Sequence, residues 1–206
     1  MYIAIIDYNM GNISSVENAF KIVGADVKVT CNAKDINNAG ALILPGVGAY
    51  RDAYKNLERL DIVETIKENI QKKIFLGICL GMQLLFEYSM ENGRNTGLGI
   101  LEGSVEKIPS VVKVPHIGWN QLNILKKESK IFKGIEEGKN FYFVHSYYVI
   151  PQNKNIISGT VDYGADMTAG IEYENIYGFQ FHPEKSSMSG LKVLENFWNI
   201  VKKGRS

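Results

Sequence analysis

The sequence predicts an α/β fold, and three observations lead to it. Short apolar runs rich in Ile, Val and Phe recur through the first half of the 206 residues, separated by longer segments of helical period. Several of these runs end in glycine-containing loops, which suits strands that turn directly into helices. The second half changes rhythm to closely spaced strand candidates divided by turn residues, so an antiparallel or mixed extension is expected there.

Taken in order, residues 2–6 read as a buried strand. Asp7-Tyr8-Asn9-Met10-Gly11-Asn12 reads as the loop into a helix that begins near Ser14, buries Val16, Ala19, Phe20 and Val23, and stops at Gly24. Residues 27–30 and 41–44 are the next strands, the second running into Pro45-Gly46-Val47-Gly48. A helix is predicted over 51–72, a strand over 74–78 and a helix over 80–87, with Cys79 at their junction. Strands follow over 104–108, 119–122, 141–148, 155–161, 168–173 and 177–181. The last helix, 189–202, carries Leu191, Leu194, Phe197, Trp198 and Val201 on its apolar side. The polar stretches 90–96 and 108–113 read as surface loops, and nothing resembles an internal repeat or a linker.

Composition narrows the function classes. A hydrophobic fraction of 45%, a charged fraction of 22% and a net charge of +1 give no electrostatic reason to expect nucleic acid or an anionic membrane as partner. The N-terminus has no basic region followed by a cleavage site, and no apolar run has the length of a membrane span, so the chain is expected to be cytoplasmic. Cys31 and Cys79 are expected to be free thiols. Two cysteines and three dispersed histidines offer no metal-ligand spacing, and no metal or cofactor is expected.

Chemistry concentrates at Cys79. Gly77-x-Cys79-x-Gly81, after a strand and before a helix, is the nucleophile-elbow pattern with cysteine in the place of serine: glycines give the backbone room for a sharp turn that projects the nucleophile. Helix N-terminal amides favour a thiolate. A small buried thiol of purely structural purpose fits the same residues, and a base decides between the two. Of His116, His145 and His182, only His182 has a carboxylate close by in sequence. Pro183 ends its strand, and the bend lets Glu184 turn back to the ring nitrogen that faces away from the thiol, completing a Cys-His-Glu triad. His145 reads as a structural mid-strand histidine and His116 as a loop residue after Pro115.

Pro45-Gly-Val-Gly48, Gly77-Ile-Cys-Leu-Gly-Met-Gln83 and Phe179-Gln-Phe-His-Pro-Glu-Lys185 resemble, in order and separation, the three signature blocks of the class I glutamine amidotransferases. Asp7 to Asn12, Val114-Pro-His-Ile-Gly-Trp-Asn120 and Phe141-Tyr-Phe-Val-His-Ser146 narrow the likeness to the glutaminase subunits of imidazole glycerol phosphate synthases, in histidine biosynthesis. The likeness covers essentially the whole chain. It implies a flavodoxin-like fold with a central mixed, largely parallel sheet, helices on its faces and an antiparallel extension, in a single type-1 glutamine amidotransferase domain over residues 1–206.

By that likeness Cys79 attacks the glutamine amide, His182 moves the proton to departing ammonia and Glu184 orients His182. The amide of Leu80 and the loop at Val47 and Gly48 form the oxyanion hole, while Gly48, Gln83, Glu91, Ser146 and Tyr147 hold glutamine. Asn12, Trp119, Tyr142 and Lys185 lie toward a partner, although Trp119 read alone suits a core. Only 22 residues (206 − 184) follow Glu184, so ammonia is expected to pass to another chain, and the resemblance makes that chain a (β/α)8-barrel cyclase subunit in a heterodimer. Two alternatives carry the same motifs: a paralogous glutaminase that feeds amination of a cell-surface sugar, and an interaction subunit that keeps the fold without the chemistry. A pyridoxal phosphate synthase glutaminase lacks the Gly118-Trp119 segment.

Overall fold

The computed structural model describes residues 1–204; Arg205 and Ser206, the last two of the predicted 1–206 domain, lie outside the described residues. The first half runs β1 (Ile3–Ile6), α1 (Ile13–Ile22), β2 (Val27–Thr30), α2 (Ala33–Asn38), β3 (Ala41–Gly46), α3 (Tyr50–Arg59), α4 (Val63–Ile70), β4 (Ile74–Cys79) and α5 (Leu80–Gln83). Then come β5 (Phe86–Ser89), β6 (Asn95–Thr96), β7 (Leu101–Lys107), β8 (His116–Gln121), β9 (Asn123–Ile124), β10 (Asn140–His145), β11 (Tyr147–Pro151), β12 (Ile157–Asp162), β13 (Asp166–Tyr173), β14 (Ile176–Phe179) and α6 (Ser187–Lys203).

Eight strands form the main sheet in the order β2-β1-β3-β4-β14-β13-β12-β9. The strands from β2 to β14 are parallel, and β13, β12 and β9 continue antiparallel, as the change of rhythm in the sequence predicts. Side chains alternate across the sheet. Ile3 and Ile5 enter one apolar cluster with Phe20, Phe179 and Phe197, under α1 and α6, while Ala4 and Ile6 enter the other with Leu42, Leu57 and Ile66. A four-stranded sheet, β11-β7-β5-β6, and the pair β10-β8 complete the architecture.

Several local expectations need correction. The helix predicted over 51–72 is two helices, because Asp61 takes a left-handed φ of 54° between α3 and α4. The helix predicted over 80–87 stops after Gln83, and Phe86 begins a strand that pairs with β7. The strand predicted over 141–148 divides at Ser146: β10 pairs with β8 and β11 with β7. His116 is no loop residue but the buried first residue of β8. Within the stretch read as a loop over 90–96, Asn95 and Thr96 pair with β5. The short α2, six residues with only Ile36 buried, carried too little periodic signal to be predicted.

What matters for chemistry is the carboxyl edge of the central strands. The register sets Gly46 at the end of β3 opposite Cys79 at the end of β4, and Phe179 at the end of β14 opposite Ile78. Loops that leave three adjacent parallel strands therefore converge on one place, where α/β sheets commonly bind ligands.

Candidate active site

Cys79 stands between β4 and α5 at φ 53° and ψ −109°, a conformation rare for any residue with a side chain. Its neighbours explain how the turn is made. A Cβ on Gly77 would lie 2.7 Å from the Met82 backbone, and one on Gly81 would collide with the Leu44 carbonyl oxygen. Both positions require glycine so that α5 can press onto β3 and β4. The thiol is 5% exposed and free, and the other free thiol, Cys31, is on the surface.

His182 follows β14, its amide donating 2.9 Å to the Tyr142 carbonyl and its own carbonyl accepting 2.6 Å from Ser186 Oγ. Pro183 opens a 3-10 turn over Pro183–Lys185 that carries Glu184 back, and Glu184 Oε1 lies 2.8 Å from His182 Nδ1 with both side chains buried. Nε2, the other ring nitrogen, is buried and makes no hydrogen bond. Burial pulls the ring toward neutrality, but the charge of Cys79 and its hydrogen-bonding capacity, then the hydrogen bond and charge of Glu184, outweigh it and lift the His182 pKa to about 10.

Cys79 opens into a cavity of about 420 Å³ whose wall includes Val47, Gly48, Leu80, Gln83, Glu91, Ser146, Tyr147 and Lys185. Gln83 is buried, with Nε2 donating to the Tyr147 carbonyl at 2.9 Å and to Gln180 Oε1 at 3.1 Å. Glu91 Oε2 accepts from the Tyr50 amide at 2.6 Å, which ties it to the start of α3 as well as to the cavity. Burial, then the Glu91 charge, raises the Tyr147 phenol pKa. At the loop, the Val47 amide donates to the Met10 carbonyl at 3.3 Å, and Gly48 adopts φ 105°.

Trp119 is 55% exposed, so it is not a core residue. It meets the Tyr142 ring edge-on at 6.0 Å, and Lys185 Nζ lies 5.9 Å from the same ring. Asn12 caps α1 by accepting from the Ser15 amide, two residues beyond Met10. Sequence reasoning passed over Gln180, whose Nε2 is 3.5 Å from Cys79 Sγ, and took His145 as purely structural although it lines the cavity. The signal for Gln180 was its place two residues before His182, at the carboxyl end of β14. Among the described residues no cluster of three or more His, Cys, Asp or Glu is placed to hold a metal, and no helix is long and apolar enough to cross a membrane.

The profile of the family described as glutamine amidotransferase class-I matches residues 4–200. This chain belongs to the class I glutamine amidotransferases. Within that family it is 52% identical to the imidazole glycerol phosphate synthase subunit HisH of Aquifex aeolicus, over 96% of each chain. It is likewise 52% identical to the HisH subunit of Caldanaerobacter subterraneus subsp. tengcongensis, over 97% of this chain and 98% of that one. Solved structures agree on the fold: a glutamine amidotransferase superposes with a TM-score of 0.77 at 16% identity, covering 98% of this chain and all of the other. PurLQS from Thermotoga maritima gives 0.76 at 19% identity, over 97% and 98%. As an amidotransferase of the HisH type, the chain is an enzyme that hydrolyses glutamine.

Proposed function

We propose that this amidotransferase generates ammonia with Cys79, His182 and Glu184 and delivers it to a cyclase subunit with a (β/α)8 barrel, as the glutaminase half of imidazole glycerol phosphate synthase in the cytoplasm. The observation that carries the reading is the strained cysteine at the strand end beside a buried histidine whose far nitrogen is held 2.8 Å from a carboxylate. With its pKa lifted to about 10, the His182 imidazole holds a proton at neutral pH, and the reaction takes the Cys79 thiolate as its nucleophile. Sulfur adds to the glutamine side-chain carbonyl carbon. The tetrahedral intermediate then collapses as His182 gives its proton to the amide nitrogen, the C–N bond breaks and ammonia leaves a glutamyl thioester. Water, losing a proton to His182, hydrolyses the thioester to glutamate and restores the thiolate.

The developing oxyanion needs N–H donors. Leu80 supplies one from the start of α5, and the second is assigned to the loop at Val47 and Gly48. In the isolated chain the Val47 amide is committed to Met10, so that amide joins the hole only if its peptide turns. Glycines on both sides of Val47 make that rotation sterically cheap. Glutamine is placed in the cavity against Gly48, Gln83, Glu91, Ser146 and Tyr147. The aromatic pair of exposed Trp119 and half-buried Tyr142, with Lys185 at the cavity wall and Asn12 at the α1 cap, forms the face offered to the cyclase, beside the mouth from which ammonia leaves. Domain extent follows: residues 1–206 act as one unit, with no cofactor in the reaction.

The test is Cys79→Ala in complex with the cyclase. Glutamine-dependent synthesis is expected to vanish while synthesis from added ammonium salt continues at the parent rate. Persistent glutamine hydrolysis by that variant would refute the assignment of the nucleophile.

A further inference from the structure

The reaction above leaves one neighbour of the sulfur without a role. Gln180 is fully buried and places Nε2 3.5 Å from Cys79 Sγ. The direction of this amide is fixed from outside the pair. The Tyr147 backbone carbonyl can only accept, so Gln83 must present its nitrogen to it, at 2.9 Å. The second proton of that nitrogen goes to Gln180 Oε1 at 3.1 Å, which leaves the nitrogen end of Gln180 facing the sulfur.

The same carbonyl fixes a second branch. It accepts from His145 Nδ1 at 2.9 Å, which makes His145 Nε2 an acceptor for His116 Nδ1 at 3.0 Å. His116 Nε2 in turn accepts from Asn120 Nδ2 at 3.3 Å, and that amide also donates to the Asp162 carbonyl at 3.1 Å. Every donor along this path meets an acceptor when both histidines are neutral. Burial holds them so, with pKa values of about 3 for His145 and about 4 for His116. The Tyr147 carbonyl is thus anchored by two donors that stay neutral and keep their direction across the working pH range.

We propose that Gln180 is a positioning residue for the nucleophile, donating its side-chain N–H to the Cys79 thiolate from an orientation imposed by Gln83 and the Tyr147 carbonyl. The inference rests on the reading of Cys79 as nucleophile. As a thiol, Sγ can donate toward the Val144 carbonyl at 3.9 Å while accepting from Gln180. Once deprotonated it has only acceptor capacity, and the amide N–H becomes a charge-assisted donor to it. A thioester sulfur carries no such charge, so the bond weakens on acylation. Gln180 therefore acts on the resting thiolate, raising its population and fixing its direction, and it takes no part in proton transfer.

The experiment follows iodoacetamide labelling of Cys79 against pH by peptide mass spectrometry, in the full chain carrying Cys31→Ser so that the exposed thiol is silent. Gln180→Met keeps the length of the side chain and removes the N–H; Gln180→Leu removes it with a branched apolar side chain, and neither adds a charge beside the sulfur. His182 and the Tyr8 phenol, which also interact electrostatically with the thiolate, remain in both variants, as does the neighbouring His145. The labelling midpoint is expected to rise by about one pH unit, slowing labelling about tenfold below the midpoint while leaving the high-pH plateau intact. Superimposable profiles for the parent and a folded variant would overturn the proposal. A measurement on the unsubstituted side chain guards against variants that fail to fold: in the ¹⁵N-labelled chain the Gln180 side-chain amide proton should move downfield as the thiolate forms, and a stationary signal would overturn it equally. Failure of the nucleophile reading looks different, because complete labelling of Cys79 would then leave glutamine hydrolysis intact.

Discussion

At the end of β14, His182 is 2% exposed and held by a carboxylate on one side with a sulfur on the other; across the β8–β10 rung, His116 and His145 are 3% and 6% exposed and hold each other. Burial is nearly the same, yet the first ring is driven toward its cation and the other two away from it. Burial alone makes a histidine neutral. The Glu184 carboxylate on Nδ1 together with the nearby charge of Cys79 reverses that, and neither of the other two rings has a charged partner of that kind. His145 reaches a backbone carbonyl instead, and His116 is packed between the rings of Phe143 and Tyr163, at centroid distances of 4.8 and 3.9 Å. A buried histidine therefore declares its work through the formal charge of its partners.

Exchanging members of the two sites gives the largest expected contrast. His182→Asn should reduce glutamine hydrolysis by about 10²–10⁴-fold, the usual worth of a positioned acid–base group. His116→Asn, which acts only through packing and the neutral network, should stay within about tenfold of the parent. Steady-state glutamate release in the assembled enzyme reads both, and equal losses would erase the distinction between the sites.

A milder change brings the His182 corner closer to the other site. Glu184→Gln leaves the imidazole in place but removes one of its two anionic partners. The expected loss is about 10²-fold at most, smaller than that of the histidine, with the His182 titration moved down. NMR of the ring protons across pH checks it. An unchanged titration would mean that the carboxylate does not govern the charge of the ring.

The last contrast is in stability, where the two sites have opposite signs. His116 and His145 bind protons in the unfolded chain near pH 6.5 but, in the folded chain, only at about pH 4 and about pH 3. Their contribution is therefore present above about pH 6.5 and is lost as pH falls, by about 1.4 kcal/mol per unit for each ring, until the folded values are reached. His182, whose folded pKa is raised to about 10, contributes below about pH 6.5 and loses that contribution as pH rises toward 10. Denaturant unfolding from pH 7 down to about pH 5 should steepen with the pair intact and flatten when both are replaced by Asn. An identical pH slope in the double variant would show that the pair does not govern stability in that range.

The contrast also shows which features a sequence exposes. Gly77-x-Cys79-x-Gly81 was legible because the elbow is local: glycines stand where Met82 and Leu44 crowd the backbone, and the apolar run before them marks the strand. His182 and Glu184 were legible for the same reason, being two residues apart around a proline. The His116–His145 pair is a product of antiparallel register across 29 residues, with His116 directly opposite His145, and nothing local in either segment announces it. Break points were hidden likewise. Asp61 divides α3 from α4 without a glycine or proline at the break, and the apolar Leu84-Leu85-Phe86 continues the character of α5 while the chain is already turning into β5. Trp119 was ambiguous because composition favours burial for tryptophan, whereas β8 leaves it mostly in solvent.

The most direct test of Cys79 as the nucleophile is covalent trapping. The assembled enzyme is treated with a glutamine analogue that carries a diazo ketone in place of the side-chain amide, and the modified residue is located by peptide mass spectrometry. The expected result is a single adduct on Cys79, loss of glutamine hydrolysis in proportion to labelling, and much slower labelling in His182→Asn. An adduct confined to Cys31, or full modification of Cys79 with hydrolysis undiminished, would contradict it.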